Sequence, residues 1–158
     1  MSEGNRKTHQ GHPLLPEKSG GDGGGKATER RKTVQQVMGK AGEDYTAHWL
    51  QEQGYTILAR NWRCRWGEVD IIARKGETVA FVEVKTRRPG AMVSPLQAVN
   101  RTKQKRIIRT AITWLRVSKS PFQPRLDVAA VTAEQDKGQD LISGFDYYPS
   151  AFDASGMF

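Results

Sequence analysis

The chain has 158 residues, enough for one ordinary domain and too few for two. Lys and Arg number 25 against 17 Asp and Glu, and the formal net charge of +8 favours a polyanionic partner. The single cysteine, Cys64, excludes an internal disulfide framework, and no apolar stretch reaches the roughly 18 residues of a membrane-spanning helix. Because the N-terminus also lacks the apolar core of a signal peptide, we expect a cytoplasmic protein with no membrane partner.

Residues 1–33 differ in composition from the rest of the chain. They hold 7 of the 16 glycines, seven basic residues and four acidic ones, and their large apolar side chains are almost limited to Leu14 and Leu15. Such a segment buries too little surface to offset the entropy lost on ordering. We therefore predict a disordered basic arm at 1–33 and a folded domain at 34–158.

The first half of this domain shows a helical pattern followed by strand patterns. Apolar residues between Val34 and Trp49 recur at spacings of three and four, which predicts an amphipathic helix that ends before Gly54. Alternating and β-branched sequence then predicts three strands, at residues 55–63, 68–74 and 78–87. A hairpin turn at residues 75–77 is expected to join the second strand to the third.

The second half begins with a predicted long helix. Ser94 is a suitable N-cap and Pro95 a suitable first residue, and the helix is expected to run from Leu96 to about Val117. A fourth strand is predicted at 125–132 and a weaker fifth at 141–147. The order α-β-β-β-α-β, with the weaker strand last, predicts an α/β fold in which helices flank a mixed sheet.

Two neighbouring predicted strands carry charged side chains within apolar sequence. Alternation places Asp70 opposite Val69 and Ile71 on the second strand, and it places Glu83 and Lys85 on one face of the third. Because adjacent strands lie about 4.8 Å apart, Asp70 and Glu83 converge if the register allows it.

Convergent carboxylates repel each other unless a cation or a proton lies between them. Two carboxylates with a backbone carbonyl suit Mg²⁺ (or Mn²⁺), which keeps several of its waters. Lys85 could then orient or help to deprotonate a water beside the metal for attack on a phosphodiester. The alternative is that Glu83 and Lys85 form an ordinary ion pair on a wet face of the sheet.

The interval between Glu83 and Asp127 contains eleven basic residues and no acidic one. Arg101, Lys105 and Arg109 recur at i+4, and such a stripe has no partners of opposite charge on its own helix. Contact with phosphates explains this pattern, and the alternative is a merely basic surface. The predicted nucleic-acid-binding residues are Arg87, Arg88, Arg101, Lys103, Lys105, Arg106 and Arg109.

Two of the four tryptophans, Trp62 and Trp66, lie in the link before the second strand. Either could stack on an unpaired base at a junction or flap. Packing against the first helix is the alternative, and it is the one that we favour.

Several strings together resemble a known family. GEVDII at 67–72 followed by VEVKTR at 82–87 is similar to the PD-(D/E)XK nuclease signature. The signature has proline before its first aspartate, whereas this chain has Val69 before Asp70. More closely, the chain resembles the YraN-like family of small bacterial proteins of uncharacterised function, relatives of archaeal Holliday-junction resolvases. Further matching strings are GKAGE at 39–43, GYTILARN at 54–61, KQKRI at 103–107, RLDV at 125–128 and YPSAF at 148–152. The resemblance covers about residues 37–153.

The resemblance implies a restriction-endonuclease-like core and a set of site residues. Asp70 and Glu83 would be metal ligands together with the Val84 backbone carbonyl, and Lys85 would be the catalytic lysine. Glu43 matches a position from which such nucleases bring a further carboxylate towards the metal. The alternative for Glu43 is an acid on the helix surface.

Three functions are consistent with these features. The first is a metal-dependent endonuclease that hydrolyses phosphodiester bonds in DNA, with branched or structured DNA as a candidate substrate. The second is a non-catalytic nucleic-acid-binding module with a nuclease-like fold, and the third is an enzyme that acts on RNA. Since the resolvase relatives act as symmetric dimers, the resemblance also makes a homodimer an option.

Overall fold

The computed structural model describes residues 33–91 and 94–155. Within these ranges the elements in chain order are α1 (Val34–Glu52), β1 (Thr56–Cys64), β2 (Gly67–Lys75), β3 (Thr78–Arg87), α2 (Pro95–Ala98), α3 (Arg101–Ser118), β4 (Gln123–Asp136) and β5 (Gln139–Phe152). The α/β class and the mixed sheet flanked by helices are confirmed, in the arrangement expected of a restriction-endonuclease-like core.

The five strands form one sheet in the order β1-β2-β3-β4-β5. All neighbours are antiparallel except β3 and β4, which run parallel. A parallel pair requires a crossover connection, and here α2 and α3 lie within that connection. No helix in the described ranges is both long enough and apolar enough to cross a membrane.

The two faces of the sheet carry separate hydrophobic cores. The α1-side core contains Ala47, Leu50, Ile71, Ala73, Ala80, Val82, Val84, Ala129 and Val131. The α3-side core contains Val69, Ile72, Val79, Phe81, Val99, Ile107, Ala111, Trp114 and Val128. Strand β3 contributes to both cores with strict alternation, and it therefore lies at the centre of the domain.

The predicted long helix is wrong in one respect, because it is divided into α2 and α3. Ser94 does cap the start of α2, since its hydroxyl accepts the N–H of Gln97 at 3.2 Å. Asn100, however, is extended, and its side chain accepts the N–H of Lys103 at 2.9 Å. Asparagine competes for backbone hydrogen bonds in this way and starts a new helix at Arg101.

The two ends of the described chain differ from the prediction in different ways. The weak strand at 141–147 exists and is longer, since β5 pairs with β4 from Gln139 to Phe152. The arm predicted at 1–33 lies outside the described residues except for Thr33. The Thr33 hydroxyl accepts the N–H of Gln36 at 3.2 Å, so this residue is the N-cap of α1.

Candidate active site

Asp70 lies at an irregular point of the central sheet. Its neighbours in β2 are paired, but Asp70 itself is paired with neither β1 nor β3. Its Oδ2 atom instead accepts the backbone N–H of Val84 at 2.7 Å. The irregularity overturns the prediction that Val69 and Ile71 share a face, since Val69 packs in the α3-side core and Ile71 in the α1-side core. The carboxylate of Asp70 is thereby turned towards β3.

Glu83 is the centre of a small charged group on β3. It is one of the few buried charged residues, with 4% of its surface exposed. Its Oε1 atom lies 2.7 Å from Lys103 Nζ and 3.3 Å from Lys85 Nζ. We call Asp70, Glu83, Lys85 and Lys103 the carboxylate–lysine cluster. Asp70, Glu83 and Lys85 were predicted to come together, and the structure places them side by side.

The ionisation of the cluster follows from its burial and its charges. Burial, and next the negative charge of Glu83, raise the pKa of Asp70 to about 8. Burial and the neighbouring Lys103 lower the pKa of Lys85 below that of an ordinary lysine. Burial also acts to lower the pKa of Lys103, but the hydrogen bond and charge of Glu83 outweigh it and the pKa is raised. Lys103 is therefore the main cationic partner of Glu83.

Glu43 approaches the same end of the sheet from α1. With its amide nitrogen turned towards the carboxylates, Asn61 donates to Glu68 Oε1 at 2.9 Å and to Glu43 Oε2 at 3.2 Å. Burial raises the pKa of Glu43, although the hydrogen bond from Asn61 and the charge of Arg60 oppose this. Glu43 is thus a partly buried acid beside Asn61 and Glu68, and its negative charge also reaches Asp70. Its side chain is 20% exposed, and its role beside a metal stays a prediction.

The donors at Asp70 and Glu83 fit a hard divalent cation. Among residues 33–91 and 94–155, no group of three or more His, Cys, Asp and Glu side chains is arranged to hold a metal. Mg²⁺ needs fewer protein ligands, because it retains waters and commonly binds through one or two carboxylates. The N–H of Val84 is directed at Asp70, and the carbonyl of a strand residue projects to the same edge as its N–H. Asp70, Glu83 and this carbonyl are the residues that would hold Mg²⁺, and Lys103 is the cation already beside Glu83.

The predicted phosphate-binding residues occupy different surroundings. Lys103 belongs to the carboxylate–lysine cluster, and Arg87 is partly buried and donates to the carbonyl of Thr86 at 3.3 Å. The others are exposed: Arg88, Arg101, Lys105, Arg106 and Arg109. The i+4 stripe on α3 is accordingly a solvent-facing cationic surface, and its first member, Arg101, lies two residues before Lys103 of the cluster.

The sequence interpretation missed two parts of the site. Lys103 was treated only as a phosphate contact, because nothing in the sequence indicated which face of the helix meets Glu83. Asn61 was not singled out, yet its φ of 50° lies in the left-handed region, which asparagine tolerates better than most residues. An asparagine among strand-forming residues was the available signal.

The two tryptophans before β2 do not pack on α1 as predicted. Trp62 packs against the α3-side core. Trp66 lies at the tip of the β1–β2 hairpin beside α3, with the guanidinium groups of Arg65 and Arg109 over its ring. Both residues therefore belong to the α3 face of the sheet.

The RLDV and YPSAF strings meet at a buried polar network away from the carboxylate–lysine cluster. Asp127 is fully buried and accepts hydrogen bonds from Arg125, the Tyr147 hydroxyl and the Ser150 N–H. Arg125 also donates to the Tyr55 hydroxyl at 2.7 Å. Since every charge in it is paired, this network joins β4, β5 and the link between α1 and β1 as a structural element.

Fold and site together define a class: a mixed α/β protein with a restriction-endonuclease-like core and paired carboxylates beside lysines, at the point where the pairing of β2 with β3 ends. A protein-family model described as "Uncharacterised protein family UPF0102" matches residues 42–131 of this chain. The chain belongs to this family, and the YraN-like resemblance is confirmed.

Relatives at high identity support the assignment. A UPF0102 protein of Nocardia farcinica is 50% identical over 97 residues, which are 61% of this chain and 76% of the relative. One from Syntrophus aciditrophicus is 43% identical over 107 residues, 67% of this chain and 84% of the relative. One from Anaeromyxobacter dehalogenans is 38% identical over 139 residues, 87% of this chain and 93% of the relative.

Proposed function

We propose that the protein is a metal-dependent endonuclease that hydrolyses phosphodiester bonds in DNA, with branched or otherwise structured DNA as its substrate class. The observation that carries this proposal is the convergence of Asp70, Glu83 and Lys85 at the open end of β2 and β3. Its setting is the cytoplasm, where a reduced Cys64 and a nucleic-acid partner are both expected.

The chain positions each group that the reaction needs. Asp70 is held by the Val84 N–H, and Glu83 is held by Lys103 on a different element. Lys85 projects from the same face of β3 as Glu83, and its side chain is only 16% exposed. In the proposed reaction, its ammonium stabilises the negative charge that develops on a phosphate. When bound between the carboxylates, Mg²⁺ supplies Lewis-acid stabilisation of that charge.

The exposed basic residues of α3 supply the affinity for DNA. Arg101, Lys105 and Arg109 face solvent, and no acidic residue lies on their helix. Each phosphate that such residues neutralise steepens the fall of log affinity with log salt by about 0.9 on duplex DNA. Since these residues are suited to contact phosphates, we expect recognition of DNA backbone and shape.

One observation favours the second candidate, a non-catalytic nucleic-acid-binding module. Two lysines already lie within 3.3 Å of Glu83 Oε1, so this carboxylate is neutralised by the protein itself. A nuclease needs a metal to compete with Lys103 for Glu83, whereas a binding module needs no metal at all.

A cleavage assay separates the two candidates. Purified protein is incubated with Mg²⁺ or Mn²⁺ and a panel of duplex, flap, four-way junction, single-stranded DNA and RNA. The nuclease proposal predicts cleavage that EDTA abolishes and that Glu83→Gln lowers by more than about 100-fold. Glu77→Gln is the matched control, since Glu77 is an exposed acid in the β2–β3 turn at the opposite end of these strands.

The outcomes are distinct. Equal cleavage by Glu83→Gln and wild type assigns the activity to a contaminant and refutes the proposal. Binding without cleavage of any substrate supports the binding module, and cleavage confined to RNA supports the third function. The homodimer stays a prediction, which sedimentation of the protein with and without a junction tests.

A further inference from the structure

The tip of the β1–β2 hairpin presents an aromatic ring that the carboxylate–lysine cluster does not use. Trp66 is partly exposed, and the Cζ atoms of Arg65 and Arg109 lie 4.5 Å and 4.8 Å from its ring centroid. Trp62 of the same hairpin packs against the α3-side core, whereas the ring contacts of Trp66 are cationic. Its indole is therefore held in place by charged groups that solvent can reach.

A groove beside Gly67, the residue that follows Trp66, includes Lys103 of the cluster in its lining. It has a volume of about 360 Å³ and lies between the β1–β2 hairpin at Gly67 and Glu68 and the first turns of α3. Lys103 and Arg106 line it from the helix. A Cβ at Gly67 would lie 3.7 Å from Arg106 Cβ, which shows how closely the hairpin follows α3.

The cationic residues along the groove follow one side of the helix. Lys103 contacts Glu83, Arg106 lines the groove, and Arg109 lies over Trp66. At a rise of 1.5 Å per residue, Lys103 and Arg109 are about 9 Å apart along the axis. The contact of Arg109 with the indole is therefore less than about two helical turns from the contact of Lys103 with Glu83.

We propose that this groove and Trp66 hold an unpaired DNA strand, with one of its bases stacked on the indole. The inference rests on the proposed function and specifies its substrate: DNA in which the strand next to the cleaved bond is unpaired. Bases within a duplex have both faces covered by their neighbours, so a single ring selects unpaired bases. When a base stacks on the indole, it replaces the guanidinium of Arg65. Arg65 lies in the exposed turn, so its side chain can move away and contact a phosphate.

A binding assay in EDTA tests this without cleavage. Fluorescence anisotropy compares a blunt duplex with the same duplex carrying an unpaired extension. Wild type is expected to favour the extended DNA by about 5- to 150-fold, the range for one stacked base. Trp66→Leu should lose this preference and keep its affinity for blunt duplex within about twofold, whereas Trp66→Phe should retain most of the preference.

Two results would overturn the inference: no preference in wild type, or an unchanged preference in Trp66→Leu. Circular dichroism melts of both variants establish that they are folded, and Trp66→Phe guards against a general effect of substitution. The proposed function fails separately. A protein that binds the extension through Trp66 but cuts no DNA with Mg²⁺ refutes the nuclease and leaves the stacking site intact.

Discussion

Replacing Gly42 with alanine is expected to destabilise the protein, although alanine is the better helix former. Gly42 lies on α1 where the helix meets β3. A Cβ added there would lie 2.1 Å from Thr86 Oγ1 and 3.3 Å from Thr86 Cβ. The first distance is far below van der Waals contact, so α1 or Thr86 must move.

The size of the effect follows from two opposing terms. Overpacking in a well-packed core costs about 1–3 kcal/mol, and the gain in helix propensity from Gly to Ala is about 1 kcal/mol. We expect Gly42→Ala to lower the free energy of unfolding by up to about 2 kcal/mol. Glu43 is the next residue, so a displaced α1 also carries Glu43 away from Asn61.

A double-mutant cycle isolates the contact. The Thr86 hydroxyl is buried and makes no hydrogen bond in the described structure, so its removal leaves no partner unsatisfied. In a Thr86→Ala background the 2.1 Å contact is gone, and Gly42→Ala should be neutral or stabilising. The coupling between the two sites should be about 1–3 kcal/mol, measured by urea denaturation.

Gly39→Ala is the matched control on the same helix. No heavy atom lies within 4 Å of a Cβ at Gly39, so this change should stabilise the protein by about 0.5–1 kcal/mol. Equal stability of Gly39→Ala and Gly42→Ala, or additive effects of Gly42→Ala and Thr86→Ala, would refute the packing of α1 on β3 at this point.

Three further predictions follow from the charged groups. Asp127→Asn should lower the free energy of unfolding by about 2–4 kcal/mol, because a buried carboxylate that accepts several hydrogen bonds is lost. Asp140 is an acid on the edge strand, so Asp140→Asn should change the free energy of unfolding by less than about 0.5 kcal/mol in the same assay. Lys103→Met should raise Mn²⁺ affinity by roughly tenfold in calorimetric titration, because the cation that competes for Glu83 is removed. Lys105→Met should leave Mn²⁺ affinity nearly unchanged, and equal affinities of both variants would contradict the competition. Arg101→Gln should reduce the salt dependence of duplex binding by about 0.9 in slope, and an unchanged slope would show that Arg101 contacts no phosphate.

Much of the sheet could be predicted because its residues alternate. Strand β3 has the predicted bounds, since Val79 and Phe81 pack on one side and Ala80 and Val82 on the other. The pattern failed at Val69, where Asp70 leaves both ladders and breaks the alternation. The alternation of apolar and polar residues in the sequence does not reveal such a break, because the break depends on the hydrogen bond between Asp70 and Val84.

The helices and the site were less accessible to sequence patterns. Asn100 was not recognised as a helix boundary, because Val99 and Ile107 are eight residues apart and fit one face of a single continuous helix. Lys103 looked like any other member of a basic run, since its role depends on which turn of α3 passes over Glu83. Long-range contacts of this kind are set by how α3 packs on the sheet, and a single sequence does not contain that geometry.

The parallel pairing of β3 with β4 has a consequence for the order of assembly. Asp70 and Glu83 lie in consecutive strands joined by a tight turn, so they can meet through local pairing alone. Lys103 reaches them only after the long crossover has closed on the sheet. Loop closure of that length is slow compared with hairpin formation. During folding, the two acids can therefore meet before their positive partner arrives, and a divalent cation that neutralises them at that stage should stabilise the β2–β3 hairpin.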